Sequence, residues 1–272
     1  MVSRKEFVET AIELIKSAET KLGDDVIELL KKAEEIENGI ARVILKTILE
    51  NVEVASGKGV PMCQDTGIPV FFLDIGRDVE LKFDVYDAVK EATAKATKVV
   101  PLRPNAVHPL SRINSENNTG INMPPVHVKL VEGSEIRISV MPKGAGSENT
   151  SKLEMLLPKD AKRIDEFIVD VVRKAGGKPC PPIFVGVGIG GTFDESALLA
   201  KRALLRDVRK MNEFELRILK KINSLGIGPM GLGGKTTALA VLVEFAHCHT
   251  ASLPLAVNIQ CWANRRASAV LG

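Results

Sequence analysis

Residues 179–191 read PCPPIFVGVGIGG, a short apolar run entered through prolines and closed by glycines, as expected of a buried strand. Upstream, residues 160–175 carry a helical periodicity that stops at Gly176-Gly177. Downstream, Thr192 and Glu195 have the spacing of a helix start. Helix, buried strand and helix in succession predict an α/β fold with helices packed on a mixed sheet.

The same reasoning extends towards both ends. Residues 3–22 place Phe7, Val8, Ala11, Ile12, Ile15, Ala18 and Leu22 on one helical face behind a Ser3–Glu6 capping box. Related stripes over 25–36 and 38–53 predict a helical N-terminal layer, residues 1–56. Residues 57–272 read as the α/β region that carries the chemistry, and the absence of a repeat or a clear linker predicts one domain over 1–272. Within it, PMCQDTGIPVFFLDIG (61–76) is a turn followed by a strand-length run, and a helix is expected near 84–99. Residues 125–132 and 135–141 alternate as strands, and Gly133-Ser134 predicts a tight hairpin between them. Ser151 and Glu154 predict a second capping box ahead of Met155, and strands are expected over 239–245 and 253–260.

Composition narrows the function. At 45% hydrophobic and 26% charged residues, the 272-residue chain is far from a disordered composition. A net charge of +3 with one Trp, one Tyr and nine Phe gives neither the basic field nor the stacking platform of a nucleic-acid binder. No apolar run reaches the roughly 18 residues of a membrane span, and the charged start lacks a signal-peptide core, so a cytoplasmic protein is expected. Four scattered cysteines fit a disulfide framework poorly, and free, catalytic or metal-binding thiols better.

Two glycine-rich segments invite nucleotide readings. Gly186, Gly188 and Gly191 satisfy G-x-G-x-x-G, but no acidic residue follows convincingly at the expected strand end. GPMGLGGKTT approaches a phosphate-loop pattern, yet Pro229 stands where the first glycine belongs. A structural glycine-rich turn is the simpler reading of that segment. Cys63, Cys180 and Cys261 lie in turn or strand-end settings, MCQDTG, KPCPPIFVG and IQCWANRR, unlike the apolar positions of structural cysteines. Spacing alone leaves both readings open, inert thiols and a three-thiolate metal site.

Taken together, Cys-Gln-Asp-Thr-Gly at 63–67, Gly-Ser-Glu-Asn at 146–149, Cys-Pro-Pro with Gly-Val-Gly-Ile-Gly-Gly, and Cys-Trp-Ala-Asn-Arg-Arg at 261–266 resemble class I fumarate hydratase. The pattern is similar to the alpha subunit of its two-subunit form and to that of L(+)-tartrate dehydratase. The resemblance implies that Cys63, Cys180 and Cys261 hold a [4Fe–4S] cluster with one iron open to substrate, while Cys248 is not a ligand. It implies that Asp65 and His249 are catalytic, and that Gln64, Asp65, Arg103 and Gly146 bind substrate. Lys143 is expected to add positive charge nearby, and Arg265 and Arg266, close behind Cys261, read either as cations that offset the cluster's negative charge or hold an acidic partner, or as a solvated face. It further implies hydration of fumarate to L-malate, with tartrate as the alternative substrate. The base is expected from a separate beta subunit in an α₂β₂ assembly, since the chain stops at Gly272, shortly after the third cysteine motif.

Overall fold

The structure is a computed structural model describing residues 2–272. In chain order the elements are α1 (Arg4–Thr20), α2 (Asp24–Ile36), α3 (Gly39–Lys58), β1 (Ile68–Gly76), α4 (Val85–Val99), β2 (Val126–Val131), β3 (Ile136–Lys143), the single turn α5 (Ala145–Glu148), β4 (Lys152–Leu156), α6 (Ile164–Ala175), β5 (Ile183–Ile189), α7 (Phe193–Ala203), α8 (Glu213–Asn223), β6 (Ala238–Phe245), β7 (Leu253–Gln260) and β8 (Ala267–Leu271). The α/β class holds, with the strands shared between two four-stranded mixed sheets. The chain divides into two compact units: Met1–Gly23, Asn51–Gly144 and Arg265–Gly272 in the first, Asp24–Glu50 and Ala145–Asn264 in the second.

In the first unit the strand order is β2-β1-β3-β8, with β1 and β2 parallel and the other pairs antiparallel. Alternation along β1 sends Phe71, Leu73 and Ile75 into a core shared with Phe7, Ala11, Ile15 and Ala18 of α1 and Ala88, Val89, Ala92 and Ala96 of α4. The Ser3–Glu6 capping box forms, and Asp84 caps α4 through the amides of Tyr86 and Asp87. The predicted hairpin does not form. β1, buried along most of its length, takes the centre of the sheet, and β2 and β3 pair with it from opposite sides. The connection crosses the end of β1 at Gly76, where a Cβ would stand 2.2 Å from the Gly133 carbonyl oxygen.

In the second unit the order is β4-β7-β5-β6, with β5 and β6 parallel. Ile183, Val185, Val187 and Ile189 of β5 share a core with Ile168 and Val172 of α6 and Ile218 and Ile222 of α8. The alternate positions, Gly186 and Gly188, meet α7, whose Ala200 and Ser196 carbonyl oxygens would each lie 2.0 Å from an added Cβ. The glycine pattern is thus a device for close helix–strand packing. The capping box expected at Ser151 and Glu154 is replaced by β4, because Lys152–Leu156 pairs antiparallel with β7 and Ser151 instead accepts the Ile259 amide proton on its hydroxyl at 3.0 Å.

Candidate active site

In the first unit, the turn between α3 and β1 carries Cys63, Gln64 and Asp65. Asp65 Oδ1 accepts the Gly67 amide proton at 2.9 Å, an Asx-type turn that fixes the loop locally. Gly67 has φ 69°, and a Cβ there would meet the Lys143 carbonyl carbon at 2.6 Å, so the position needs glycine on two counts. Asp65 and Cys63 are half-buried and Gln64 is exposed. The loop is held from behind by two residues. Glu19 accepts the Met62 amide proton on its backbone carbonyl at 3.0 Å. Arg265 donates from Nη2 to the Asp65 carbonyl at 3.0 Å and from Nη1 to Glu19 Oε2 at 2.6 Å.

This corrects one alternative for Arg265. A solvated face is excluded, because its side chain is 1% exposed and engages a buried acid. Burial pushes the Glu19 carboxyl up to about 7, against the opposing pull of Arg265 and with a small further push from Asp65. Lys143 is also buried.

The Arg103 loop adjoins the Asp65 turn within the same unit. The Arg103 amide donates to Thr66 Oγ1 at 3.1 Å, and Asn105 Nδ2 donates to the Gly67 carbonyl at 3.0 Å. Arg103 is exposed, and the hydrogen bonds it makes run through its backbone, leaving the guanidinium available. The two adjoining loops thus carry a carboxylate, a group able to transfer a proton, and a guanidinium, a group able to pair with an anion.

The second unit carries Gly146, Cys180, His249 and Cys261. Cys180 is exposed, with a left-handed backbone at φ 54°. Its carbonyl accepts the Trp262 amide proton at 3.3 Å, which brings the second and third cysteine motifs together. The next carbonyl, of Pro181, accepts the Met230 amide proton at 2.7 Å. The glycine-rich turn at 226–234 therefore buttresses the Cys180 loop. It is not arranged as a phosphate cradle: Lys235 Nζ donates to the Ile36 carbonyl at 2.9 Å, and Glu37 Oε1 already occupies the Thr236 amide at 2.6 Å.

His249 is exposed in the connection between β6 and β7, and its Nδ1 accepts the Ala251 amide proton at 3.1 Å. In the neutral ring the proton is then on Nε2. Gly146, in α5, lines an open cavity of about 440 Å³ together with Lys152, Lys174 and Lys178. Cys248 is exposed and donates its thiol proton to the Ser252 carbonyl at 3.2 Å.

No disulfide engages the four cysteines. Among the described residues no group of three or more His, Cys, Asp or Glu is gathered as a single-ion metal site. The donor type at Cys63, Cys180 and Cys261 suits an iron–sulfur cluster, since thiolates on accessible turns are its customary ligands. Thr66 and Glu19, both buried, escaped the sequence reading because their partners lie far along the chain.

Residues 8–270 match the family model described as fumarate hydratase (Fumerase), and the chain belongs to that family of hydro-lyases. It is 48% identical over 271 residues to a Methanocaldococcus jannaschii protein named as a candidate L(+)-tartrate dehydratase subunit alpha, with 95% of each chain covered. It is 33% identical over 258 residues to the L(+)-tartrate dehydratase subunit alpha of Escherichia coli UTI89, covering 92% of this chain and 85% of the relative. No helix among the described residues is long and apolar enough to cross a membrane.

Proposed function

We propose that this chain is the cluster-bearing alpha subunit of a two-subunit hydro-lyase that interconverts fumarate and L-malate in the cytoplasm. The observation that carries the reading is the bond from the Arg103 amide to Thr66 Oγ1, which ties the exposed guanidinium to the loop of Cys63, Gln64 and Asp65. Cys63, Cys180 and Cys261 would hold a [4Fe–4S] cluster, which when bound supplies a Lewis-acidic iron for the substrate's hydroxyl and neighbouring carboxylate.

The chain's own residues do the rest of its share. Arg103 clamps a substrate carboxylate in the two-pronged geometry that a guanidinium allows. Asp65, or His249 through its Nε2, gives the single proton with which the hydroxyl leaves as water, and takes one back from water in the hydration direction. Gln64 contributes an exposed amide for hydrogen bonding to substrate, and Gly146 lets backbone approach it. The base for the C3 proton comes from a beta subunit, a reading supported by the word "alpha" in the relatives' names, and the assembly is α₂β₂. A second reading, dehydration of L(+)-tartrate, is favoured by those same names.

Both readings are tested by oxygen-free co-production with a candidate beta subunit, followed by assays with fumarate, L-malate and L(+)-tartrate. The account expects one of these substrates to turn over, and expects Arg103→Ala to raise its KM. Turnover of none, or an Arg103→Ala enzyme with unchanged KM, counts against it.

A further inference from the structure

Asn118 is fully buried, sits in a left-handed backbone conformation at φ 61°, and uses both ends of its amide on the Arg103 loop. Its Oδ1 accepts the amide protons of Asn105 at 2.7 Å and Ala106 at 3.3 Å. Its Nδ2 donates to the Arg103 carbonyl at 3.1 Å and to Thr97 Oγ1, on α4, also at 3.1 Å. One side chain thus satisfies polar backbone groups on both sides of Pro104 and ties them to a helix of the first unit's core. Thr66 holds the same loop through the Arg103 amide. Three hydrogen bonds to the loop backbone and a fourth to α4, all from one buried amide, leave the loop backbone little freedom, because an amide buried in this way loses its partners if the loop moves.

We infer that Asn118 is a positioning residue for substrate recognition: it fixes the backbone from which the Arg103 guanidinium reaches a carboxylate of the dicarboxylate substrate. The inference rests on the proposed role of Arg103. Only an amide meets the requirement here, since the site asks for an acceptor towards two N–H groups and a donor towards a carbonyl and a hydroxyl. An aspartate would keep the first pair of bonds and turn a negative charge on the Arg103 carbonyl.

The left-handed backbone provides a clean variant. Asn118→Gly retains a residue suited to φ 61° and removes only the side-chain bonds, whereas Asn118→Ala adds backbone strain. The test uses the cluster-loaded enzyme assembled with its beta subunit, comparing wild type, Asn118→Gly, Asn118→Asp and Arg103→Ala, with hydrogen exchange measured on the same samples.

The account expects the amides of Asn105 and Ala106 to exchange faster in Asn118→Gly while the β1 and β3 amides keep their protection. It expects KM to rise about tenfold to a hundredfold, the scale associated with misplacing a binding group by about an ångström, with a smaller change in kcat. Asn118→Asp should fall on the same side. An Asn118→Gly enzyme with wild-type KM, beside an Arg103→Ala enzyme whose KM has risen, overturns the role of Asn118 and leaves that of Arg103 standing. An unchanged KM in Arg103→Ala overturns both. Loss of protection throughout the first unit would make Asn118 a folding residue only, and would also overturn the inference.

Discussion

Arg265 and Glu19 form an ion pair, Nη1 to Oε2 at 2.6 Å, in which each side chain is 1% exposed. Arg265 belongs to the third cysteine motif and Glu19 to α1, so the pair joins two distant stretches of chain behind the Cys63–Asp65 loop. Removing Glu19 takes from the buried Arg265 guanidinium its carboxyl hydrogen-bond partner, and Glu19→Ala is expected to cost about 3–5 kcal/mol in urea unfolding.

The pair also gives stability a pH dependence of defined sign. Burial raises the Glu19 carboxyl from 4.5 to about 7 in the folded chain. The unfolded chain therefore releases this proton first, and the stabilisation from a protonated Glu19 is complete below about pH 4.5 and declines as pH rises through about 7. Glu19→Gln has no such proton to lose. The difference in unfolding free energy between wild type and Glu19→Gln should shift against wild type between pH 5 and about 7.5. A difference that stays constant across that range would refute the assignment.

The G-x-G-x-x-G segment makes a packing prediction. Gly188→Ala would place a methyl 2.0 Å from the Ser196 carbonyl oxygen, on the backbone of α7. Overpacking of this kind costs about 1–3 kcal/mol or more. Gly39→Ala meets no atom within 4 Å and carries only the strain of φ 54°, so its melting temperature should fall less.

Nucleotide binding offers an independent check on the glycine-rich turn. With Lys235 committed to the Ile36 carbonyl and Glu37 on the Thr236 amide, equilibrium dialysis with labelled ATP should show no retention. Lys235→Ala should lower stability by about 1 kcal/mol, the scale of one hydrogen bond.

Local patterns made much of the fold legible. The Ser3–Glu6 box, the stripe of α1 and the apolar runs of β5, β6 and β7 all lie where periodicity places them. Two readings failed for a common reason. Gly133-Ser134 does look like a hairpin turn and Ser151–Glu154 like a capping box, but strand pairing with β1 and β7, neither of them a chain neighbour, decides both. The candidate site divides in the same way. Cys63, Asp65, Arg103, Cys180 and Cys261 stand out because their immediate neighbours are distinctive. Glu19, Thr66 and Asn118 do not, because what marks them is burial and bonds to residues far along the chain.

The central claim is that Cys63, Cys180 and Cys261 hold the iron–sulfur cluster of a hydro-lyase. Its most direct test is oxygen-free reconstitution of wild type and the four single Cys→Ser chains with iron and sulfide, reading bound iron and the visible absorption of the cluster. The account predicts that wild type and Cys248→Ser bind it alike, and that Cys63→Ser, Cys180→Ser and Cys261→Ser each lose it while keeping their far-ultraviolet circular dichroism. Equal cluster uptake by any of those three folded variants, or its loss in Cys248→Ser alone, would contradict the account.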